Sequence, residues 1–438
     1  MKSGKCFIPI DATLPGERLQ YMIDNSKSTI VITNKKLYNS FSAQLKGMSI
    51  IYLENFEEYL EVCQGCNETS IVLDRTTKDL AYIIYTSGST GNPKGVKIRN
   101  DSFTAFLLSM TSAMPYYHET CRYLSVFPYH FDASWVDIFP TLYVGGQLII
   151  FERLMSANQL LKTMEQYKIT MTCIPSTIVK LIAGKFVSIE KFDLSNLELI
   201  WYGTESCPTK HIKYLHSKLP NVKFIHSYGP TEATCTSHIY YCEEKDFETE
   251  QDLFPIGKEL NTITSYALND QNQLIIEGEV GELYISGVQV MDGYCGDEEK
   301  TKEVLVENYF NSNEIAYKTG DYVTVDKEGN YIFTNRRDDM VKVYGKLVYL
   351  SEIEKALNGD KRIKDSIVTS YKDEMEMIKI RACIIKDSMT KLEVQEVKEM
   401  LQNKLPKYMI PAKFMIMNEE DVPKTSSMKV DRKKLIWN

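Results

Sequence analysis

Between residues 147 and 225, short apolar runs alternate with amphipathic stretches, and that alternation limits the fold of this 438-residue chain more than any other feature. Gln147–Phe151 is a strand candidate after Gly145-Gly146. Ser156 is placed to cap a helix whose apolar face runs through Leu160, Leu161, Met164 and Tyr167, at the i, i+3, i+4, i+7 spacing. Strand candidates follow at Thr170–Ile174, Leu197–Tyr202 and Val222–Ile225, with a helix carrying Ile212, Leu215 and Leu219 between the last two. Strands that are apolar almost end to end, separated by helices, need cover on both faces. The pattern predicts a parallel sheet in an α/β fold.

After about residue 250 the pattern changes. Leu274–Ile276, Glu282–Ser286 and Tyr331–Phe333 read as strands joined by Gly, Asn and Asp turns, a β-rich subdomain. The charged stretch Asn335-Arg336-Arg337-Asp338-Asp339 then interrupts the chain. Beyond it come a helix over Ser351–Leu357, a strand over Lys379–Ile385, a longer helix over Lys391–Leu405 and a strand near Ala412–Met417. That is enough for a small α+β domain of about a hundred residues. The expected organisation is an α/β core of doubly wound sheets plus a β-rich subdomain over residues 1–337, followed by a small α+β domain over 338–438.

A net charge of −8 speaks against a nucleic-acid partner, which needs a clustered basic face. No apolar run approaches the ~20 residues of a membrane span, and Met1-Lys2-Ser3-Gly4-Lys5-Cys6 lacks the apolar core of a signal peptide. The expectation is a cytoplasmic protein with no membrane partner. In a reducing compartment, cysteines inside apolar runs, such as Cys173 and Cys383, read as small buried hydrophobes. Cys63 and Cys66 form a CxxC, but no second ligand pair follows at a zinc-site spacing.

The run Leu80-Ala81-Tyr82-Ile83-Ile84-Tyr85 reads as a buried strand that opens into Thr86-Ser87-Gly88-Ser89-Thr90-Gly91-Asn92-Pro93-Lys94-Gly95. A helix is expected soon after, with Asp101 as its cap and Phe103, Phe106, Leu107 and Met110 on one face. Glycines let backbone N–H groups turn toward an anion, while hydroxyls and an ammonium add donors, so this order suits a polyphosphate cradle. It is neither the Walker loop nor GxGxxG. By composition alone the same residues also make an ordinary surface loop.

The string TSGSTGNPKG does not stand by itself. It is followed by Phe131-Asp132-Ala133-Ser134, Ser227-Tyr228-Gly229-Pro230-Thr231-Glu232, Gly281-Glu282-Leu283-Tyr284-Ile285-Ser286-Gly287, Tyr317-Lys318-Thr319-Gly320-Asp321, the Arg336–Lys342 stretch and Lys429-Val430-Asp431-Arg432. In order and spacing, over essentially the whole chain, the series resembles the AMP-forming adenylating enzymes: acyl-CoA synthetases, luciferases and the adenylation domains of nonribosomal peptide synthetases. The resemblance implies attack of a substrate carboxylate on the α-phosphorus of ATP, giving an acyl-adenylate and pyrophosphate. It implies that Thr86, Ser87, Thr90 and Lys94 hold the β- and γ-phosphates, with Gly88, Ser89 and Gly91 in the same loop and Thr231 in the nucleotide set. Glu232 would bind Mg²⁺, Tyr228 would stack on adenine, and Asp321, with Arg336 nearby, would receive the ribose hydroxyls. Lys429 would be the catalytic residue, bridging carboxylate and ribose, and Asp338 the hinge about which the small domain turns between half-reactions. Taken singly, Asp321 also fits a turn, Lys429 a solvated lysine and Asp338 a solvated linker.

Within the superfamily, Phe131-Asp132-Ala133-Ser134 resembles the peptide-synthetase form, in which this Asp pairs with the substrate α-ammonium. The alternative is an Asp capping the helix that follows. By motif, the substrate pocket is lined by Ala133, Val136, Cys173, Ile200, Tyr202, Ser227, Cys235 and Thr236, with no charge beyond Asp132 and Lys429. An uncharged, small to medium side chain is expected, since a charged one would lie unpaired, and Tyr202 is expected to shorten the pocket.

Cys6-Phe7-Ile8-Pro9-Ile10-Asp11-Ala12 resembles a motif that in the family follows a sizeable N-terminal stretch, so the expectation is an N-terminally short core: a fragment, a split gene product or a trimmed chain. Asn335 stands where Gly is usual, Leu347 and Tyr349 where Arg and Glu are, and Met428 where Gly is. No carrier motif follows Lys429, so the phosphopantetheine carrier protein is expected in trans or on a further segment. Two rivals remain: an acyl- or aryl-CoA ligase, against which Asp132 argues, and a truncated non-catalytic remnant binding nucleotide or a partner, against which the joint presence of Lys94, Glu232, Asp321 and Lys429 argues.

Overall fold

The computed structural model describes residues 4–14, 16–63, 76–86, 93–151, 156–184, 187–204, 207–336, 340–343, 346–373, 378–386, 389–405, 407–424, 430, 434–435 and 437. The chain forms two compact units. The first comprises Met1–Tyr266, Tyr284–Thr319 and Glu328–Tyr331, and the second Ala267–Leu283, Gly320–Lys327 and Ile332–Asn438.

The apolar runs of the middle segment become the centre of the first unit. Among the described residues they form a seven-stranded sheet in the order Lys258–Glu259, His238–Tyr241, Lys223–Tyr228, Leu199–Gly203, Met171–Pro175, Arg122–Ser125, Gln147–Ile150. The four pairings from Lys223–Tyr228 to Gln147–Ile150 are parallel, and the two at the other edge are antiparallel. Met171–Pro175 and Leu199–Gly203 are buried at every residue, as strands covered on both faces must be. One face carries Leu124, Ile174, Ile200, Tyr202 and Phe224, packed against Leu160, Leu161 and Met164, Ile178 and Val179, and Ile212 and Leu215. Ser156 caps the helix Ala157–Gln166, its side chain accepting from the Gln159 N–H at 3.2 Å. The apolar face of that helix stops at Met164. Tyr167 lies past the helix end, 41% exposed, because Lys168 takes a left-handed φ of 49° and turns the chain away.

The segment after Leu80–Thr86 differs from expectation. A strand, Lys94–Arg99, comes before any helix and pairs antiparallel with Leu80–Thr86. Its signal was the period-2 alternation in Val96-Lys97-Ile98-Arg99, in which Val96 and Ile98 are fully buried. The helix is Asn100–Ala113, burying Phe103, Phe106 and Met110. Asp101 is inside it, not its cap; its carboxylate accepts from the Ser102 N–H at 2.8 Å and pairs with Arg99 at 3.0 Å.

A further sheet runs in the order Ile263–Leu268, Gly281–Gly287, Ile315–Val325, Leu305–Glu307, with Tyr331–Arg336 paired to Ile315–Val325. The strand expected at Leu274–Ile276 is only a single bridge from Leu274 to Leu268. The Asn269 side chain accepts from the N–H groups of Gln271 and Gln273, and Asn272 has φ of 57°, so the turn absorbs residues a ladder would need and leaves Ile276 68% exposed.

In the second unit, Ile363–Lys372, Ile378–Lys386 and Lys413–Asn418 form a three-stranded sheet, antiparallel then parallel. Leu350, Ile353 and Leu357 of helix Leu350–Asn358 and Val397 and Leu401 of helix Val394–Gln402 share its core. The second helix is shorter than Lys391–Leu405, because a capping box between Glu393 and Glu396 fixes its start. Ile363–Lys372 escaped the sequence reading: Lys364-Asp365-Ser366 breaks its alternation, where the register also shifts.

Candidate active site

Arg122–Ser125, Met171–Pro175, Leu199–Gly203 and Lys223–Tyr228 run parallel, so their carboxyl ends share one edge of the sheet. Ligands of open α/β sheets bind outside that edge. Here the loops leaving it carry Phe131-Asp132, Thr204 and Gly229–Thr236.

Asp132 is 6% exposed at the start of helix Ala133–Tyr143. It has helical φ and ψ, and its side chain makes no capping hydrogen bond, so the helix-cap alternative does not describe it. Ala133 and Val136 are buried on the first turn. The Cys235 thiol donates to the Asp132 carbonyl at 3.2 Å. Burial pushes the Cys235 thiol and the Tyr82 hydroxyl well above their usual ranges, and the nearby Asp132 adds to both shifts. Burial likewise raises Cys173, with Asp137 and Cys235 beside it. Asp132, Cys173 and Cys235 therefore share one buried environment with Tyr82, which no motif assigned.

Asp137 is a second carboxylate in that environment. It is fully buried, and one of its oxygens accepts from Ser125 Oγ at 2.8 Å. Burial holds its carboxyl well above the usual range, against the hydrogen bonds from Tyr123 and Ser125.

Ile200 and Tyr202 do not join this group. Sheet register pairs Cys173 with Trp201 and Ile174 with Tyr202, and side chains alternate faces along a strand. Tyr202 lies in the helix-packed core, stacked on His226 at 4.8 Å with its hydroxyl 3.8 Å from Cys242 Sγ, and Ile200 packs in the same core. Trp201 takes the face of Cys173, and its indole N–H donates to Ser227 Oγ. Trp201 and Gly203, not Ile200 and Tyr202, thus share the face of Cys173 and Ser227. Ile200 and Tyr202, expected in the pocket by motif, lie on the opposite face of the strand from Cys173, since neighbouring positions exchange faces.

The Tyr228–Glu232 motif ends strand Lys223–Tyr228 and enters a short turn, Thr231–Ala233. A Cβ on Gly229 would sit 2.0 Å from the Cys235 carbonyl oxygen, so only glycine fits. Thr234 and Cys235 have φ of 57° and 73°, a left-handed pair of the kind found where surrounding structure enforces it. Gln289, fully buried and in no motif, enforces it here. Its amide donates to the carbonyls of Ala233 and Thr236, and its own carbonyl accepts from Thr234 Oγ1 at 2.5 Å. Thr236 is buried beside this turn.

Tyr228 is half-buried, its ring against His238 at 5.7 Å. Burial lowers His238 to about 3 and His226 to about 4. Both are therefore neutral in the folded chain, while the unfolded chain takes up these protons near pH 6.5. Stability is expected to fall as pH drops from about 6.5 toward 4, by up to ~3 kcal/mol for each histidine. Thermal unfolding against pH checks this, and His238→Gln should flatten the slope between pH 6.5 and 4.

Thr86 and Lys94 face each other across the Leu80–Thr86 and Lys94–Arg99 pair, at the mouth of the glycine-rich loop. Ser87, Gly88, Ser89, Thr90 and Gly91 lie outside the described residues, as do Asp338, Lys429 and Cys66. Lys94 Nζ sits 5.2 Å from the centroid of the Tyr294 ring, and the Tyr294 hydroxyl donates to Glu232 Oε1 at 2.7 Å. Glu232, one half-buried carboxylate linked to Lys94 through Tyr294, suits Mg²⁺, which is commonly held by one or two carboxylates together with substrate phosphates. Among the described residues no group of three or more His, Cys, Asp or Glu is placed to hold a metal. In the second unit, Asp321 is buried on Ile315–Val325, directly after Gly320 with its φ of 73°, and Arg336 ends Tyr331–Arg336. Cys121, Cys173, Cys207, Cys235, Cys242 and Cys383 are buried and not in disulfides, and no helix among the described residues is long and apolar enough to cross a membrane.

Residues 1–295 match the family described as AMP-binding enzyme. The chain belongs to this family. It is 32% identical over 437 residues to bacitracin synthase 1 of Bacillus licheniformis, covering 99% of this chain and 8% of that protein. It is similar in structure to a four-domain nonribosomal peptide synthetase bound to AMP and glycine, with TM-score 0.76 and 25% identity, covering 99% of this chain and 31% of that one. ATP-bound MatB from Rhodopseudomonas palustris has the same fold, with TM-score 0.84 and 20% identity, covering 99% of this chain and 83% of that one. The chain spans about a tenth or less of the length of bacitracin synthase 1 and gramicidin S synthase 2, two curated relatives it matches. The mixed α/β architecture expected from the sequence is thus the architecture of AMP-binding enzymes.

Proposed function

We propose that this chain activates an amino acid with ATP and then passes it to the phosphopantetheine thiol of a carrier protein. In the first step a carboxylate oxygen bonds to the α-phosphorus as the bond to the β-phosphate breaks, releasing pyrophosphate. In the second the thiol sulfur bonds to the acyl carbon, AMP leaves, and the thiol proton passes to solvent. The single observation that carries the reading is Asp132: a buried carboxylate at the ligand-binding edge of a parallel sheet, at a helix start it does not cap. A substrate α-ammonium is a cation of the kind that a carboxylate so placed binds. The likeness to peptide-antibiotic synthases over 99% of the chain supports the same choice.

The remaining roles are those the motifs suggest. Thr86, the 87–91 loop and Lys94 hold the β- and γ-phosphates, Tyr228 the adenine, Thr231 the nucleotide, and Asp321 with Arg336 the ribose. Mg²⁺ on Glu232 would neutralise charge between the phosphates. Lys429 bridges carboxylate and ribose, and Asp338 is the hinge between domains 1–337 and 338–438. Ala133, Val136, Cys173, Trp201, Gly203, Ser227, Cys235 and Thr236 line the side-chain pocket. With no charged residue in that set, an uncharged, small to medium side chain fits best.

Hydroxylamine trapping tests the reading. With ATP, Mg²⁺ and a neutral amino acid the protein should yield the hydroxamate, whereas the same acid lacking its α-amino group should yield essentially none. Equal trapping of both acids would move the chain to the acyl-CoA-ligase class.

A further inference from the structure

Tyr294 is 3% exposed, on Gly293–Tyr294, which pairs with the strand that begins at Lys94. Register sets Tyr294 opposite Val96, two residues along from Lys94, so the tyrosine ring and the lysine share one face of the sheet. The ring lies 5.2 Å from Lys94 Nζ, within cation–π range. Its hydroxyl donates to Glu232 Oε1 at 2.7 Å, the length of a charge-assisted bond. One side chain therefore touches both the basic residue of the phosphate loop and the carboxylate of the 228–232 motif.

Its own position is fixed. The Tyr294 N–H donates to Thr301 Oγ1 at 2.9 Å, and that hydroxyl donates to the Asp297 carbonyl at 2.7 Å. Gly293 has φ of 127°, and a Cβ there would meet Thr301 Cγ2 at 2.8 Å, so the strand and Thr301 approach as closely as glycine permits. The Glu232 carbonyl accepts from the Met291 N–H at 2.8 Å, which ties the glutamate backbone to the segment that bears the tyrosine.

We propose that Tyr294 is a positioning residue that sets the metal-binding carboxylate and the phosphate-binding ammonium at a fixed separation before the nucleotide arrives. The inference rests on the roles given above to Glu232 and Lys94. With one Glu232 oxygen held by the tyrosine, the other would be the one to meet a cation. With Lys94 seated on the ring, its ammonium is kept from closing on the carboxylate and cancelling it. The bound partner this pair recognises is a polyphosphate carrying a divalent cation.

The test is the gain in ATP affinity on adding Mg²⁺, measured by titration calorimetry on the full chain with ATP alone and with ATP plus saturating Mg²⁺. Tyr294→Phe keeps the ring and loses the hydroxyl. It should reduce the Mg²⁺-dependent gain by about tenfold, the equivalent of one hydrogen bond to a charged group, and leave metal-free ATP affinity within about twofold. Tyr294→Leu should weaken metal-free binding as well, because Lys94 loses its seat. Glu232→Gln should remove the gain, and Tyr294→Phe added to it should cost nothing further, the non-additivity of a shared contact. Thr301→Val, which removes the hydroxyl that fixes the Tyr294 backbone, should shift the gain in the same direction and carries the test by itself if Tyr294→Phe does not fold. A Tyr294→Phe protein with the wild-type Mg²⁺ gain, or full additivity with Glu232→Gln, overturns the inference while leaving the nucleotide site intact. Wild-type protein that binds no ATP overturns the nucleotide site itself.

Discussion

Asp132→Ala is expected to lower kcat/KM for amino-acid activation by roughly 10²–10³-fold while the protein remains folded. The size follows from burial. A carboxylate only 6% exposed that pairs with an ammonium loses, on truncation, about 3–5 kcal/mol, most of it from leaving the other charge buried and uncompensated. The stability side runs the other way. Asp132 makes no capping bond, so its removal takes no cap from helix Ala133–Tyr143, and the melting temperature should change far less than the activity. Asp132→Asn should lose nearly as much activity, because it keeps the shape and lacks the charge. Hydroxamate formation and thermal melts on the same preparations check both halves. Loss of melting temperature in step with activity would instead make Asp132 a structural residue.

Tyr202→Ala and Trp201→Phe are expected to separate stability from specificity at adjacent positions. Tyr202 is fully buried among the helix-facing core residues, so cutting it to alanine should destabilise the protein by about 3–5 kcal/mol with no change in relative preference among amino acids. Trp201 is on the other face, with Cys173 and Ser227. Phenylalanine there opens space, removes the indole donor to Ser227 Oγ, and should shift preference toward bulkier side chains by about 10-fold or more, the worth of a few methyl-sized contacts. Unfolding curves and competition between two amino acids read the two effects separately. A preference shift from Tyr202→Ala would put the sheet register, and with it the pocket wall, on the opposite face.

What was legible in the chain follows from how local each signal is. The apolar runs at residues 171–175 and 199–203 announce buried parallel strands because burial on both faces leaves little choice of residue. Ser156 announces its helix because a cap is a single-residue device. The strand Lys94–Arg99 is harder, since a phosphate loop suggests a helix beyond it and the strand is only six residues long, alternating only from Val96 on. Facing was harder still. A motif gives order along the chain, but only pairing across strands decides that Trp201 and not Tyr202 accompanies Cys173. Gln289 and Tyr294 left no trace at all, because each acts through residues 53 to 62 positions away, on Thr236 and Glu232. Asp137 carries no such signal, because a carboxylate in a helix usually faces water, and here it is fully buried.

The central claim, that the chain adenylates an amino acid, is tested most directly by ATP–pyrophosphate exchange with purified protein across a panel of amino acids, with fatty and aryl acids alongside. The expected result is exchange driven by one neutral amino acid or a few of similar size, absent with the fatty and aryl acids and lost in Asp132→Ala. Exchange driven only by a fatty or aryl acid, or none with any acid from folded protein that binds ATP, would contradict it.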